Sequence, residues 1–228
     1  MSYLVIPLLE EPKITPNSVN DFSEFNPMIT LEEFFDKLNK HICDNIYCPS
    51  YCPYRVSQST CRINKIEQLR PDKRQSFIYD MKYIILCQEL EEFCQKNELY
   101  SPTEKVSDYC YDSYSYNFVW ELIKYNKGGH FSKHKDKIIE RYRCIHTHVA
   151  LIYPKWSEYT GGDLIICGDE EVNIKTSDFE GHTLIILDID TYHRITEVIS
   201  DSRYVFKIPL YKINKNYKYD PDDECLES

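Results

Sequence analysis

The segment GGHFSKHKDK, residues 128–137, places two histidines and an aspartate within seven positions. His134 and Asp136 are separated by one residue. On extended chain, residues two apart point to the same side, so both side chains can reach one ion. A third donor must come from elsewhere in the chain. His193, in LDIDTYHRITEV, stands 57 positions after Asp136 and follows an apolar run, HTLIILDI, that would deliver it at the end of a strand. Two imidazoles and one carboxylate leave part of a metal's coordination sphere open, which is the facial arrangement that holds non-haem Fe(II). Arg203 lies ten residues after His193, in SDSRYVFKIPLY. Its planar guanidinium suits two-point pairing with the carboxylate of a small diacid bound at such a metal.

The other candidate ligands read more simply. His130 beside Gly129 is expected as an exposed turn residue, and His182 after Gly181 at a turn before a strand. The HTH of residues 146–148 could bind metal from a strand, but His146 and His148 have no partner at a matching spacing, and a strand surface or cleft lining is expected. Cys43, Cys48, Cys52 and Cys61 form a cluster whose spacings differ from the paired CxxC of structural zinc sites, so free thiols are expected. The basic run KHKDKIIERYR reads as a solvated face that flanks the site and could touch an acidic substrate. Trp120 and Trp156 are expected to be packing residues.

These residues need a frame. The chain has 228 residues, 42% of them hydrophobic and 28% charged, which suits one globular domain with an elaboration. The net charge is −10, with five acids in the closing DPDDECLES, so a nucleic-acid partner is disfavoured. The opening MSYLVIPLLEEPK lacks a basic leader and is too short to span a membrane, and no other apolar run is longer. A cytoplasmic or nuclear protein with reduced cysteines is the expectation. Residues 1–29 carry four prolines and are expected as loop or extended chain. Thr30 and Glu33 form a capping box, and Leu31, Phe34, Phe35, Leu38 and Ile42 recur at helical spacing, which predicts a helix over about 31–46. A second helix is predicted over about 72–97, with Phe77, Met81, Ile85 and Phe93 on its apolar side. From about residue 115 the pattern becomes strand-like. YNFVWELIKY, THVALIY, DLIICG, HTLIILDI and RYVFKIPLY suggest an antiparallel sandwich or jelly roll.

The second half resembles the 2-oxoglutarate- and Fe(II)-dependent oxygenases, most closely their prolyl-4-hydroxylase-like branch. That branch shows YxxGxxFxxHxD, and this chain has Tyr125, Gly128, Phe131, His134 and Asp136 in the same register. It shows a glycine pair before a strand, matched by Gly161 and Gly162 in TGGDLII, and HxVxxVxxxxR, matched from His193 to Arg203. The resemblance covers about residues 115–212. Two positions depart from it: Ser202 replaces a glycine often found before the arginine, and Pro154 stands where many prolyl hydroxylases have leucine.

The resemblance implies an α+β chain with a double-stranded β-helix (jelly-roll) core over 111–214 and N-terminal helices packed outside. Residues 1–110 form a helical and irregular region and residues 215–228 an acidic tail. It implies that His134, Asp136 and His193 are both the metal ligands and the catalytic centre. Arg203, Tyr125 and Tyr153 would contact the co-substrate. Fe(II), 2-oxoglutarate and O2 are the implied cofactors and co-substrates, with ascorbate as a further one. The implied activity is hydroxylation of a prolyl residue in a protein or peptide, with release of succinate and CO2. Halogenating relatives lack the carboxylate that Asp136 supplies here. Two alternatives stand beside this reading. One is a demethylase of alkylated nucleic acid, whose relatives carry a second arginine six residues after the first, where this chain has Pro209. The other is a catalytically silent oxygenase fold that binds a partner.

Overall fold

The computed structural model describes residues 3–16, 29–33, 74–78, 83–99, 121–136, 140–141, 144–155 and 158–213. The strands are β1 (Tyr3–Pro7), β2 (Lys13–Pro16), β3 (Ile29–Thr30), β4 (Arg74–Ile78), β5 (Tyr83–Leu86), β6 (Glu121–Tyr125), β7 (Phe131–His134) and β8 (Glu140–Arg141). They continue as β9 (Cys144–Tyr153), β10 (Tyr159–Gly161), β11 (Leu164–Cys167), β12 (Glu171–Ile174), β13 (Thr183–Asp188), β14 (His193–Ile195), β15 (Val198–Asp201) and β16 (Arg203–Ile213). Helix α1 spans Gln88–Lys96, and a single 3-10 turn covers Thr176–Asp178.

Two antiparallel sheets make the jelly roll. The larger runs β1-β13-β9-β16-β6-β4, with β8 added on β9, and the smaller runs β12-β11-β14-β7. Val149, Leu151, Tyr153, Ile185, Leu187 and Val205 of the larger sheet share one apolar cluster with Leu164, Ile166 and Ile195 of the smaller. The alternate residues Ala150, Ile152, Leu184, Ile186, Phe206 and Ile208 form a second cluster on the other face. There they pack against Ile14, Leu31, Ile85, Leu90 and Cys94 from the first hundred residues. Because β9, β13 and β16 are covered on both faces, VALIY of β9, LIIL of β13 and IPL of β16 read as apolar runs rather than as alternation. The expected strands at 147–153, 163–168, 182–189 and 203–211 coincide with β9, β11, β13 and β16.

The first hundred residues depart from expectation. The predicted helix over 72–97 is helical, among its described residues, over Gln88–Lys96. Its earlier part forms β4, which pairs with β6, and β5, which pairs with β2. The physical reason is visible in the spacing. Phe77, Met81, Ile85 and Phe93 are separated by multiples of four, which satisfy a period of two as well as they satisfy a helix. Helix α1 buries Leu90 and Cys94, one turn apart, against the outer face of the larger sheet. The capping box is present: Thr30 N–H donates to Glu33 Oε2 and Glu33 N–H donates to Thr30 Oγ1, each at 3.1 Å. The chain turns helical at residues 31–33, and the rest of that predicted helix lies outside the described residues. The same holds for the 43–61 cysteine cluster, Trp120, Trp156 and the acidic tail. The apolar start of the chain is β1, paired along β13. Among the described residues, no helix is long and apolar enough to cross a membrane.

Candidate metal centre

Strands β7 and β14 of the smaller sheet set the geometry. Their register places His134 directly opposite His193, with ring centroids 4.3 Å apart. Asp136 lies two residues beyond the end of β7, and the donor atoms of His134, Asp136 and His193 all fall within 4.8 Å of one another. Among the described residues this is the one group of three or more such side chains that could hold a metal ion. His193 is 6% exposed.

Each imidazole is oriented from behind. His134 Nδ1 sits 2.8 Å from the carbonyl of Ser132, and His193 Nδ1 sits 3.0 Å from the carbonyl of Thr191. A carbonyl only accepts, so Nδ1 carries the proton and donates, and each Nε2 lone pair is left for a metal. Burial lowers the pKa of His134 to about 4, with the neighbouring His193 adding to the effect. Burial likewise pushes His193 below its ordinary value. Burial would raise Asp136, but the Lys207 ammonium, and then His193, outweigh it and hold the carboxyl below its usual range. At neutral pH the set is two neutral imidazoles and one carboxylate, which is the form that ligates.

Arg203 opens β16 and faces the same interior. It is 1% exposed. Its Nη2 donates to the Tyr153 hydroxyl at 2.6 Å, and its guanidinium carbon lies 4.9 Å and 5.0 Å from the ring centres of Tyr125 and Tyr153. Tyr125 is its register partner across β6. Nε and Nη1 have no hydrogen-bond partner among the described residues. Burial tends to lower the Arg203 pKa, yet the surrounding tyrosines raise it overall, so the group stays cationic. A buried cation with two unmet donors is costly unless an anion completes it. Tyr153 and Tyr159 also line a cleft of about 360 Å³ with Pro154, Lys155, Thr176 and Phe179, so open space borders the arginine's aromatic collar.

The glycine pair explains how the arginine is accommodated. A β-carbon on Gly162 would lie 2.8 Å from Arg203 Cδ, and one on Gly161 would lie 2.3 Å from the carbonyl oxygen of Glu197. Both glycines have positive φ, +71° and +66°. Ser202, the residue before the arginine, donates to Asn126 Oδ1 at 3.3 Å, and the left-handed residue of that turn is Asp201, with φ 57°.

The structure thus brings His134, Asp136 and His193 together, with Arg203, Tyr125 and Tyr153 on the facing sheet. The decoys lie apart. His148 meets the edge of Phe93 on the outer face, and His146 packs beside Tyr211. His130 is half-buried rather than exposed, with Nδ1 3.4 Å from the Gly128 carbonyl. His182 accepts from the Lys155 N–H at 3.3 Å. Lys135, in the basic run, pairs with Asp190 at 3.0 Å on the surface. Two residues escaped the sequence reading. Tyr159, two positions before Gly161, donates to Thr176 Oγ1 at 2.6 Å and stands as a third tyrosine beside Arg203. Lys207 forms an ion pair with Asp136. Counting in twos along β16 from Arg203 would have found it.

No protein-family model and no curated protein sequence matches the chain. Solved structures similar to it include a Pseudomonas putida prolyl-4-hydroxylase, at 15% identity and TM-score 0.40, covering 67% of this chain and 82% of that one. The viral collagen prolyl hydroxylase of Paramecium bursaria Chlorella virus-1, solved with 2-oxoglutarate, matches at 13% identity and TM-score 0.39, over 64% and 84% of the two chains. A Trichoplax adhaerens prolyl hydroxylase, solved with a peptide of the hypoxia-inducible factor, matches at 13% identity and TM-score 0.40, over 90% and 84%. What the site can do follows from its own geometry.

Proposed function

We propose that this chain is an Fe(II)- and 2-oxoglutarate-dependent dioxygenase that hydroxylates a prolyl residue of a protein or peptide. His134, Asp136 and His193 are the metal ligands in this reading. Arg203 anchors the far carboxylate of the co-substrate, with Tyr125 and Tyr153 beside it. The observation that carries the reading is the Arg203 guanidinium, sealed in the same interior as the three donors, with Nε and Nη1 unpartnered among the described residues. A dicarboxylate that reaches from the metal to this arginine meets both needs at once.

When bound, Fe(II) and 2-oxoglutarate reduce O2, releasing succinate and CO2 while one oxygen atom enters a C–H bond of the substrate. The chain's own residues supply the setting. The Ser132 and Thr191 carbonyls fix the imidazoles with Nε2 inward. Arg203, held through Nη2 by the Tyr153 hydroxyl, keeps its Nε and Nη1 N–H groups for acceptors in the interior. The apolar residues Val149, Leu151, Ile185 and Ile195 line the interior and limit water around the reacting centre. The choice of a prolyl substrate is supported by the YxxGxxFxxHxD register of residues 125–136.

The test is succinate formation by purified protein with Fe(II), 2-oxoglutarate and oxygen, beside His134→Ala and Arg203→Met. Turnover in the parent, lost in both variants, is the expected result. Proline-containing peptides that gain one oxygen, read by mass spectrometry, would then establish the substrate class. Absence of turnover, together with absence of Mn(II) binding, would sink the proposal.

A further inference from the structure

Lys207 holds one oxygen of Asp136 and leaves the other facing His193. Its Nζ contacts Oδ1, while Oδ2 lies 3.9 Å from His193 Nε2. The lysine side chain is 21% exposed and the aspartate side chain 11%, so neither group is dissolved in solvent that could substitute for the other. Lys207 sits on the inner face of β16, four residues after Arg203, opposite Leu151 of β9. It therefore reaches Asp136 from the larger sheet, across the interior, while the histidines approach from the smaller.

We propose that Lys207 is a positioning residue that confines Asp136 to ligation through Oδ2 alone and so keeps three coordination positions open. This rests on the dioxygenase reading of the site. Two histidines and a one-oxygen aspartate fill three positions of a six-coordinate ion. A chelating keto-acid takes two more, and one remains for oxygen. A carboxylate free to turn can bind through both oxygens, as carboxylates do on larger cations such as calcium. That would leave two positions, so a chelating keto-acid would bind more weakly against the crowding of the second carboxylate oxygen and would leave none for oxygen. A lysine ammonium on Oδ1 prevents the turn, because the carboxylate would have to give up a short-range, partly buried ion pair to make it. Partners behind a metal ligand commonly govern affinity and geometry by ten- to a hundredfold.

The experiment uses the Co(II)-loaded full chain, since Co(II) reports coordination number through its visible absorption without turnover. Parent protein, Lys207→Arg and Lys207→Met are titrated with Co(II), and then with 2-oxoglutarate, by calorimetry and spectroscopy. We expect Lys207→Met to bind Co(II) as tightly as the parent or tighter, because a cation beside the ion is gone. Its spectrum before co-substrate should differ from the parent's, and its 2-oxoglutarate affinity should fall at least tenfold. Lys207→Arg, which keeps a cationic donor, should restore the parent spectrum. A Lys207→Met spectrum and 2-oxoglutarate affinity equal to the parent's would overturn the role of Lys207 and leave the dioxygenase reading standing. Failure of the parent itself to bind Co(II) would end both. Should Lys207→Met not fold, Lys207→Ser, too short to reach Asp136, makes the same comparison.

Discussion

Gly162 and Arg203 fit together with no room for a single added carbon: a β-carbon at residue 162 would stand 2.8 Å from Arg203 Cδ. The φ of Gly162, +66°, adds backbone strain to any substitution. Gly162→Ala should therefore displace the guanidinium and destabilise the fold by about 1–3 kcal/mol. Calorimetry on Mn(II)-loaded protein should show 2-oxoglutarate affinity down at least tenfold. An alanine variant that binds 2-oxoglutarate like the parent would mean that Arg203 is not the anchor.

Tyr153→Phe removes only the hydroxyl that accepts from Arg203 Nη2. The expected loss of stability is about 1 kcal/mol. The freed Nη2 remains inside, so the guanidinium is less firmly aimed, and 2-oxoglutarate affinity should fall about three- to tenfold with Mn(II) affinity unchanged. A matching fall in Mn(II) affinity would point to a wider collapse of the site instead.

Acid should weaken the metal-free protein through its histidines. The pKa of His134 is lowered from 6.5 to about 4 in the folded state. Above pH 6.5 the group is neutral folded and unfolded, and contributes nothing to the pH dependence. Between 6.5 and about 4 the unfolded chain takes up the proton that the folded chain refuses, so stability declines as pH falls through that window. His193, shifted the same way, adds to the decline. Asp136 is shifted down as well, so its contribution persists through this window and is lost only at lower pH. Denaturant midpoints measured with chelator from pH 8 to pH 4 should fall, and His134→Gln should flatten the slope.

Metal and co-substrate should stabilise the fold by mass action. At a hundred times its Kd a ligand adds about 2.7 kcal/mol. Mn(II) should raise Tm over chelator-treated protein, and 2-oxoglutarate should raise it again only when Mn(II) is present. An equal shift in His134→Ala would place the metal elsewhere.

The outer cluster is also open to test. Ile14 is fully buried against the larger sheet together with Leu31, Ile85 and Phe206. Ile14→Ala should destabilise the protein by about 2–5 kcal/mol. A negligible change in the denaturation midpoint would show that the outer layer is loosely attached.

The site was more legible in the sequence than the fold around it. His134 and Asp136 show themselves because an HxD on extended chain has an obvious geometric meaning. His193 and Arg203 show themselves because each follows or begins a strand-like run. Gly161 and Gly162 could be seen as a pair, but their reasons, the clearance for Arg203 at Gly162 and for the Glu197 carbonyl at Gly161, depend on residues distant in the chain. Lys207 was hidden in an apolar run, where one charge among FKIPLY reads as an outward residue. The strands at 74–78 and 83–86 were misread as helix because β4 and β5 draw their stability from β6 and β2, partners distant in the chain, so their own spacing carried no unique period. Of helix α1 the sequence reading named Phe93, while the residues it buries are Leu90 and Cys94, one turn apart.

The pairing of β1 with β13 joins Tyr3 to Leu187. During synthesis the first strand leaves the ribosome while its partner has yet to be translated. At about 5–20 residues per second, the wait is on the order of ten to forty seconds. Through that interval Leu4, Val5 and Ile6 form an apolar strand with an unsatisfied edge, a natural substrate for chaperones that hold nascent chains. This edge of the larger sheet closes only when residues 3–7 and 183–187 are both present, which makes the yield of folded protein sensitive to how fast, and in what company, the chain is made.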